Sequence, residues 1–158
     1  MISRKAKYAF KALFVLAEGA GRDALSIEAV AGEAGIPRRF LEHILLDLKR
    51  GGLVLSRRGR SGGYSLARPP EAITLGAVLR TIDGPIAPLS CISRTAYRRC
   101  RDCSEESTCS VRRAFAQAYA ATLKAMDETT LADGLAENRR KPSFPAASAA
   151  TLEPISAL

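Results

Sequence analysis

Apolar residues in the first third of the chain recur at helical spacing. In residues 3–18, SRKAKYAFKALFVLAE, Ala6, Ala9, Phe10, Leu13, Phe14 and Leu16–Ala17 trace a broad stripe between lysines. Ser3 stands where an N-cap belongs, and Gly19 and Gly21 stop the helix. A shorter stripe, Ile27, Val30 and Ala31, follows a second capping residue, Ser26. Gly35 supplies a tight turn. Pro37 suits the first turn of a further helix, where its missing N–H costs nothing. That helix carries Phe40, Leu41, Ile44, Leu45 and Leu48 on one face and ends at Gly51–Gly52. A short helix, a Gly-containing turn and a second amphipathic helix form the helix-turn-helix pattern.

The apolar pattern then changes. Leu53, Val54 and Leu55 open one strand, and Tyr64, Ser65 and Leu66 form its return. Arg57-Arg58-Gly59-Arg60-Ser61-Gly62-Gly63 lies between them, with glycines free to adopt positive φ at a hairpin tip. A hairpin directly after a helix-turn-helix is a wing. Past Pro69–Pro70, Thr74 caps a short helix with Leu75, Val78, Leu79 and Ile82 on its buried face, and Gly84 and Pro85 end it. A loop follows to about Ser110. A long helix from about Val111 to Asp127 places Val111, Phe115, Ala118, Tyr119, Thr122, Leu123 and Met126 on one broad face. From about Ala136 the chain is rich in Ala, Ser and Pro and is expected to be an unstructured tail.

The expected architecture is mainly α with a small β-hairpin wing: a winged helix-turn-helix plus a long C-terminal dimerisation helix. The divisions are a DNA-binding domain at 1–84, a cysteine-rich sensor loop at 85–110, the dimerisation helix at 111–135 and the tail at 136–158.

Charge sharpens this picture. The net charge is +8, and residues 1–70 hold 13 Lys/Arg against 6 Asp/Glu, so nearly all the excess lies in the N-terminal half. A one-sided basic half suits a polyanion, because each phosphate neutralised releases condensed counterions. Alone, a charge of this size also serves solubility. With the core face of the second helix buried, Arg38, Arg39, Glu42 and His43 point outward from its first turns, where a recognition helix meets base edges. Arg57, Arg58 and Arg60 on the wing suit a narrow minor groove or its phosphates.

Composition excludes other classes. The 158 residues contain no Trp and a single His, so most histidine-based catalysis and any multi-His metal site are ruled out. No stretch approaches the roughly 18 apolar residues of a membrane span. Met1 to Lys11 lacks a signal-peptide pattern, so a cytoplasmic location is expected.

Four cysteines, Cys91, Cys100, Cys103 and Cys109, fall within 19 residues in the spacing C-x8-C-x2-C-x5-C. Their surroundings are polar, unlike those of cysteines that serve as core hydrophobes. Structural zinc, an iron–sulfur cluster and a thiol switch of Cys100 with Cys103 all remain open on spacing alone. Arg94, Arg98, Arg99 and Arg101 would offset the charge of thiolates. A nucleophilic Cys100 lacks a nearby His base, so no enzyme is expected.

The assembled segments resemble the Rrf-two family of winged-helix transcription regulators. The likeness covers roughly residues 1–135. It rests on KAKYAFKALFVLA, on IPRRFLEHILLDLKRGGLVLSRRGRSGGYSLAR, on ITLGAVLRTIDGP, on the cysteine loop and on the closing TTLADGL. The resemblance implies a homodimer crossed over its long helices and a repressor of a double-stranded DNA operator. It also implies an iron–sulfur cluster, [2Fe–2S] or [4Fe–4S], in the loop, sensing iron, redox state or nitric oxide. It places a base-reading glutamate at Glu42, which could accept from a cytosine amino group, and a wing arginine at Arg58. The Cys103–Cys109 step matches cluster-binding members. The first interval is longer here and Cys100 is extra. A histidine ligand used by one member falls at Arg112, so the fourth ligand would be Cys100 or a residue from elsewhere. The alternative is a cluster-free regulator or adaptor with structural zinc or a thiol–disulfide switch.

Overall fold

The computed structural model describes residues 2–21, 23–59, 62–103 and 105–139. Their order is α1 (Arg4–Glu18), α2 (Ile27–Ala34), α3 (Arg38–Arg50), β1 (Val54–Arg57), β2 (Gly63–Leu66), α4 (Leu75–Ile82), α5 (Ser110–Glu128) and α6 (Leu131–Arg139). Short 3-10 turns at Pro70–Ala72 and Ser90–Ile92 precede α4 and α5.

The capping residues act locally as the sequence implies. Ser3, Ser26 and Thr74 each accept from the backbone N–H three residues on, at 3.0, 3.2 and 3.1 Å. Gly35 closes α2 at φ 61°, a left-handed conformation that glycine adopts without penalty. The core is built from one face of each helix. Leu13 of α1, Val30 of α2, and Leu41, Ile44, Leu45 and Leu48 of α3 are buried with Leu53, Ile73, Val78 and Leu131.

The hairpin pairs Val54 with Leu66, Leu55 with Ser65, Ser56 with Tyr64 and Arg57 with Gly63. It is fixed to the body by a short bridge. Leu25 N–H donates to the Tyr64 carbonyl at 2.9 Å, and Tyr64 N–H to the Leu25 carbonyl at 2.7 Å. A second bridge holds the C-terminal end. Leu75 N–H donates to the Thr129 carbonyl and Leu131 N–H to the Ile73 carbonyl, both at 2.9 Å. Gly76 lies where α5 approaches α4. A methyl there would strike Asp127, whose carboxylate pairs with Arg80.

Two expectations are corrected. Residues 136–139, expected to open an unstructured tail, instead form the last turn of α6, which runs to Arg139. Leu131 and Leu135 bury one face of this helix, and Thr130 with Asp133 caps it reciprocally. Residues 140–158 of that expected tail lie outside the described residues. Phe40, expected on the buried face of α3, is 60% exposed. The core-facing arc is already filled by Leu41, Ile44, Leu45 and Leu48. Phe40 falls on the flank toward α1, edge-on to Tyr8 with ring centroids 6.5 Å apart.

Two aspartates tie the fold to pH. Asp47 accepts from Lys5 Nζ at 2.6 Å, joining α3 to α1, and this bond holds its carboxyl below the usual aspartate value. The Thr130 side-chain and backbone bonds do the same for Asp133. A carboxylate depressed in the folded state contributes stability that is complete above its unfolded pKa, about 3.9, and is lost as pH falls through its folded value. Urea midpoints are therefore expected to drop from pH 5 to pH 3, and to drop less in D47N. Equal losses in the two proteins would place the titration elsewhere.

Candidate nucleic-acid interface and thiol loop

Helical geometry sorts the outer side of α3. Arg39, His43 and Arg50 lie opposite the buried residues, and all are exposed. Arg38 and Glu42 occupy the flank toward α2 and are exposed as well. Between the flanks, Leu46 is also exposed. Unlike α1, α2 and α4, α3 begins at a residue with no capping side chain, Pro37. Its first-turn N–H groups at Arg38 and Arg39 thus carry partial positive charge toward anything docking there. The four residues expected to face DNA therefore share one surface of α3. Arg4, Lys5, Tyr8, Phe40, His43 and Ile44 line a shallow hollow of about 250 Å³ beside it.

On the wing, Arg57 and Arg58 are exposed. Arg60, the third arginine expected there, lies outside the described residues. Gly59 takes φ 113°, closed to ordinary side chains, and its carbonyl accepts from Gly62 N–H at 2.9 Å. A methyl at Gly62 would lie 2.6 Å from the Arg57 carbonyl, so the tip is built on backbone approaching backbone.

The four cysteines gather as two pairs. Cys100 neighbours Cys91, and Cys103 neighbours Cys109; the Cys103 thiol donates to the Glu105 carbonyl at 3.6 Å. All four are free thiols, with Cys91 buried in the Ser90–Ile92 turn against α5. Cys109 is the N-cap of α5, a role the sequence reading missed by starting the helix at Val111. Its sulfur accepts from Arg112 N–H at 3.4 Å. That backbone bond lowers the Cys109 pKa, with the Cys103 thiol adding to it. Cys100 is raised by the neighbouring Cys91 sulfur, and Cys103 chiefly by burial. The loop is braced by Glu106, which pairs with Arg112 and accepts from the Tyr97 hydroxyl. Among the described residues, no three His, Cys, Asp or Glu side chains close on a single metal-ion position.

On α5, Tyr119 and Leu123 are buried, while Val111 and Phe115 are 55% and 45% exposed. Phe115, Ala118, Thr122 and Met126 border an open groove of about 630 Å³, walled opposite by Ile2, Leu79 and the Asp83–Pro88 segment. The broad face expected for this helix is thus divided: part packs on α4 and part is bare.

A helix-turn-helix followed by a docked hairpin places the protein among the winged helix-turn-helix transcriptional regulators. Within that class it belongs to the Rrf2 family: the sequence profile described as "Iron-dependent Transcriptional regulator" matches residues 2–137. An HTH-type regulator of Rhodobacter capsulatus, named rrf2-like, is 52% identical over 139 residues, covering 86% of this chain and 93% of its own. The structure of CymR, the global cysteine regulator of B. subtilis, superposes with a TM-score of 0.71 at 31% identity, covering 86% of this chain and 96% of that one. That of T. potens IscR does so at 0.66 and 28%, covering 91% and 93%. These relatives are transcriptional regulators rather than enzymes, and DNA binding follows from the family. No helix among the described residues is long and apolar enough to cross a membrane.

Proposed function

We propose that the protein is a homodimeric repressor whose cysteine loop holds an iron–sulfur cluster and whose α3 and wing read an operator. The carrying observation is the gathering of all four thiols, in two pairs, at the N-terminus of the long helix. The donor set fits such a group, since iron–sulfur clusters are commonly held by four cysteine thiolates. When bound, a cluster supplies an iron centre that responds to iron supply, oxidants or nitric oxide. Cys91, Cys100, Cys103 and Cys109 would hold it.

The chain's own residues provide the coupling. Cys109 caps α5 and Cys91 packs against it, so any change that draws the loop together bears on the start of α5. The Arg80–Asp127 pair and the Thr74–Thr130 bridge pass that position to α4 and the DNA-binding body. A second copy, pairing through the bare face of α5 around Val111 and Phe115, would set the spacing of two recognition helices. Coupling of about 1–3 kcal/mol would change affinity roughly 5- to 150-fold.

Anaerobic purification with iron and sulfide counting tests the proposal. A coloured protein with both elements in stoichiometric amounts is expected. A colourless protein after reconstitution would overturn the cluster. A thiol switch is the second reading, favoured by the Cys103–Cys109 contact, and it predicts a disulfide by mass spectrometry after mild oxidation. On the wing, Arg58→Ala is expected to weaken binding and flatten the salt slope by about one unit, as for a residue neutralising one phosphate. A slope identical to wild type would remove Arg58 from the phosphate contacts.

A further inference from the structure

Arg38 and Arg39 are adjacent on the first turn of α3, yet their surroundings differ. Arg39 has no side-chain partner among the described residues. Arg38 is engaged twice: its Nη1 lies 2.9 Å from Glu28 Oε1 on α2, and its Nε donates to Glu42 Oε1 at 3.2 Å. One guanidinium therefore spans the turn of the helix-turn-helix and holds a carboxylate at each end. The planar fork of arginine suits this bridging, and a lysine ammonium does not reproduce it. Glu28 sits in the first turn of α2, just past the Ser26 cap, on a part of the backbone that is itself fixed.

Exposed ion pairs of this kind add little to folding stability, so the triad is not explained as a structural clamp. Its geometry bears on recognition instead. A glutamate reads a base only if its carboxylate is held toward the groove, and a free glutamate side chain samples several rotamers. A carboxylate approaching DNA also meets the repulsion of the phosphates. A cation already bound to it offsets that repulsion, and the interaction strengthens as DNA excludes water.

We propose that Arg38 is the positioning residue for Glu42, anchored on α2 by Glu28, rather than a phosphate contact. The two neighbouring arginines then divide the work: Arg39 is available to the DNA backbone or a base, and Arg38 sets the orientation of the carboxylate that discriminates bases. This rests on the reading of α3 as the recognition helix and of Glu42 as a base contact.

The test uses the full-length protein. Duplexes selected by the wild type from a randomised pool define the operator, and base preference is measured at every position for E42A, R38Q, R38K and E28Q. E42A should erase preference at one step per half-site. R38Q and R38K should reduce preference at that same step by roughly 5- to 10-fold, a part of what one well-placed base contact confers. R38K keeps the charge, so its loss separates positioning from electrostatics. E28Q should weaken the preference partially. The proposal is overturned if R38Q keeps the preference that E42A erases, and a salt slope flattened by about one would then make Arg38 a phosphate contact. An unchanged preference in E28Q would remove the anchor on α2. If E42A erases no preference at all, the base-reading role of Glu42 fails first, and that failure is visible separately.

Discussion

A methyl group added at Gly63 is expected to detach the wing from the domain. The new atom would collide with the Leu25 carbonyl oxygen and lie 2.6 Å from its carbon. These are backbone atoms, so no side chain can rotate out of the way. The backbone bonds between Leu25 and Tyr64, at 2.9 and 2.7 Å, lie one residue further on and would be the first to part. Overpacking of this kind costs about 1–3 kcal/mol. The effect on DNA should exceed the effect on folding, since the wing arginines lose their fixed position relative to α3. Affinity for the operator is expected to fall about tenfold or more, the equivalent of at least about 1.4 kcal/mol. Paired urea melts and salt-dependent binding isotherms of G63A measure both. Wild-type affinity in a stable G63A protein would mean that the wing does not need the Leu25 bridge.

Leu45→Ala should be the most destabilising single change in the recognition helix, at about 2–5 kcal/mol. Leu45 is fully buried at the middle of α3, and Leu41, Ile44 and Leu48 surround it in the same core. Truncation leaves a cavity that these neighbours, held by one helix, fill only in part. Leu46→Ala, one residue on, faces solvent and is expected to change stability by no more than about 0.5 kcal/mol. The pair of variants reads the phase of α3 directly by chemical denaturation. A comparable loss in both would contradict the assignment of the outward face.

The phase of α3 also shows where reading the sequence succeeds and fails. Leu41, Ile44, Leu45 and Leu48 were legible because their spacing alone defines a face. Phe40 was not, because an aromatic at the edge of an apolar arc packs inward or outward according to what the neighbouring helix already fills. Here Tyr8 offers a partner on the flank and the core has no space left. The cysteine loop is a parallel case. Its clustering was plain in the spacing, yet the pairing of Cys91 with Cys100 and of Cys103 with Cys109 crosses irregular backbone that no periodicity describes. Cys109 as a helix cap was within reach, since it stands directly before the helical segment. The usual capping residues are Ser, Thr, Asp and Asn, and a cysteine does not announce itself in that role.

Local interactions were decided by the order of residues alone. The caps at Ser3, Ser26 and Thr74, the left-handed turn at Gly35 and the hairpin with its glycine-rich tip each depend on atoms a few residues apart. Such interactions form the same way wherever the segment goes. Tertiary structure decided everything that joins distant segments. It brought Leu25 to the wing, Glu28 to Arg38 and Thr74 to Thr130, and it left half of the α5 face without a covering. Those contacts are set by how helices of given bulk pack against one another, and no short stretch of the chain contains that information.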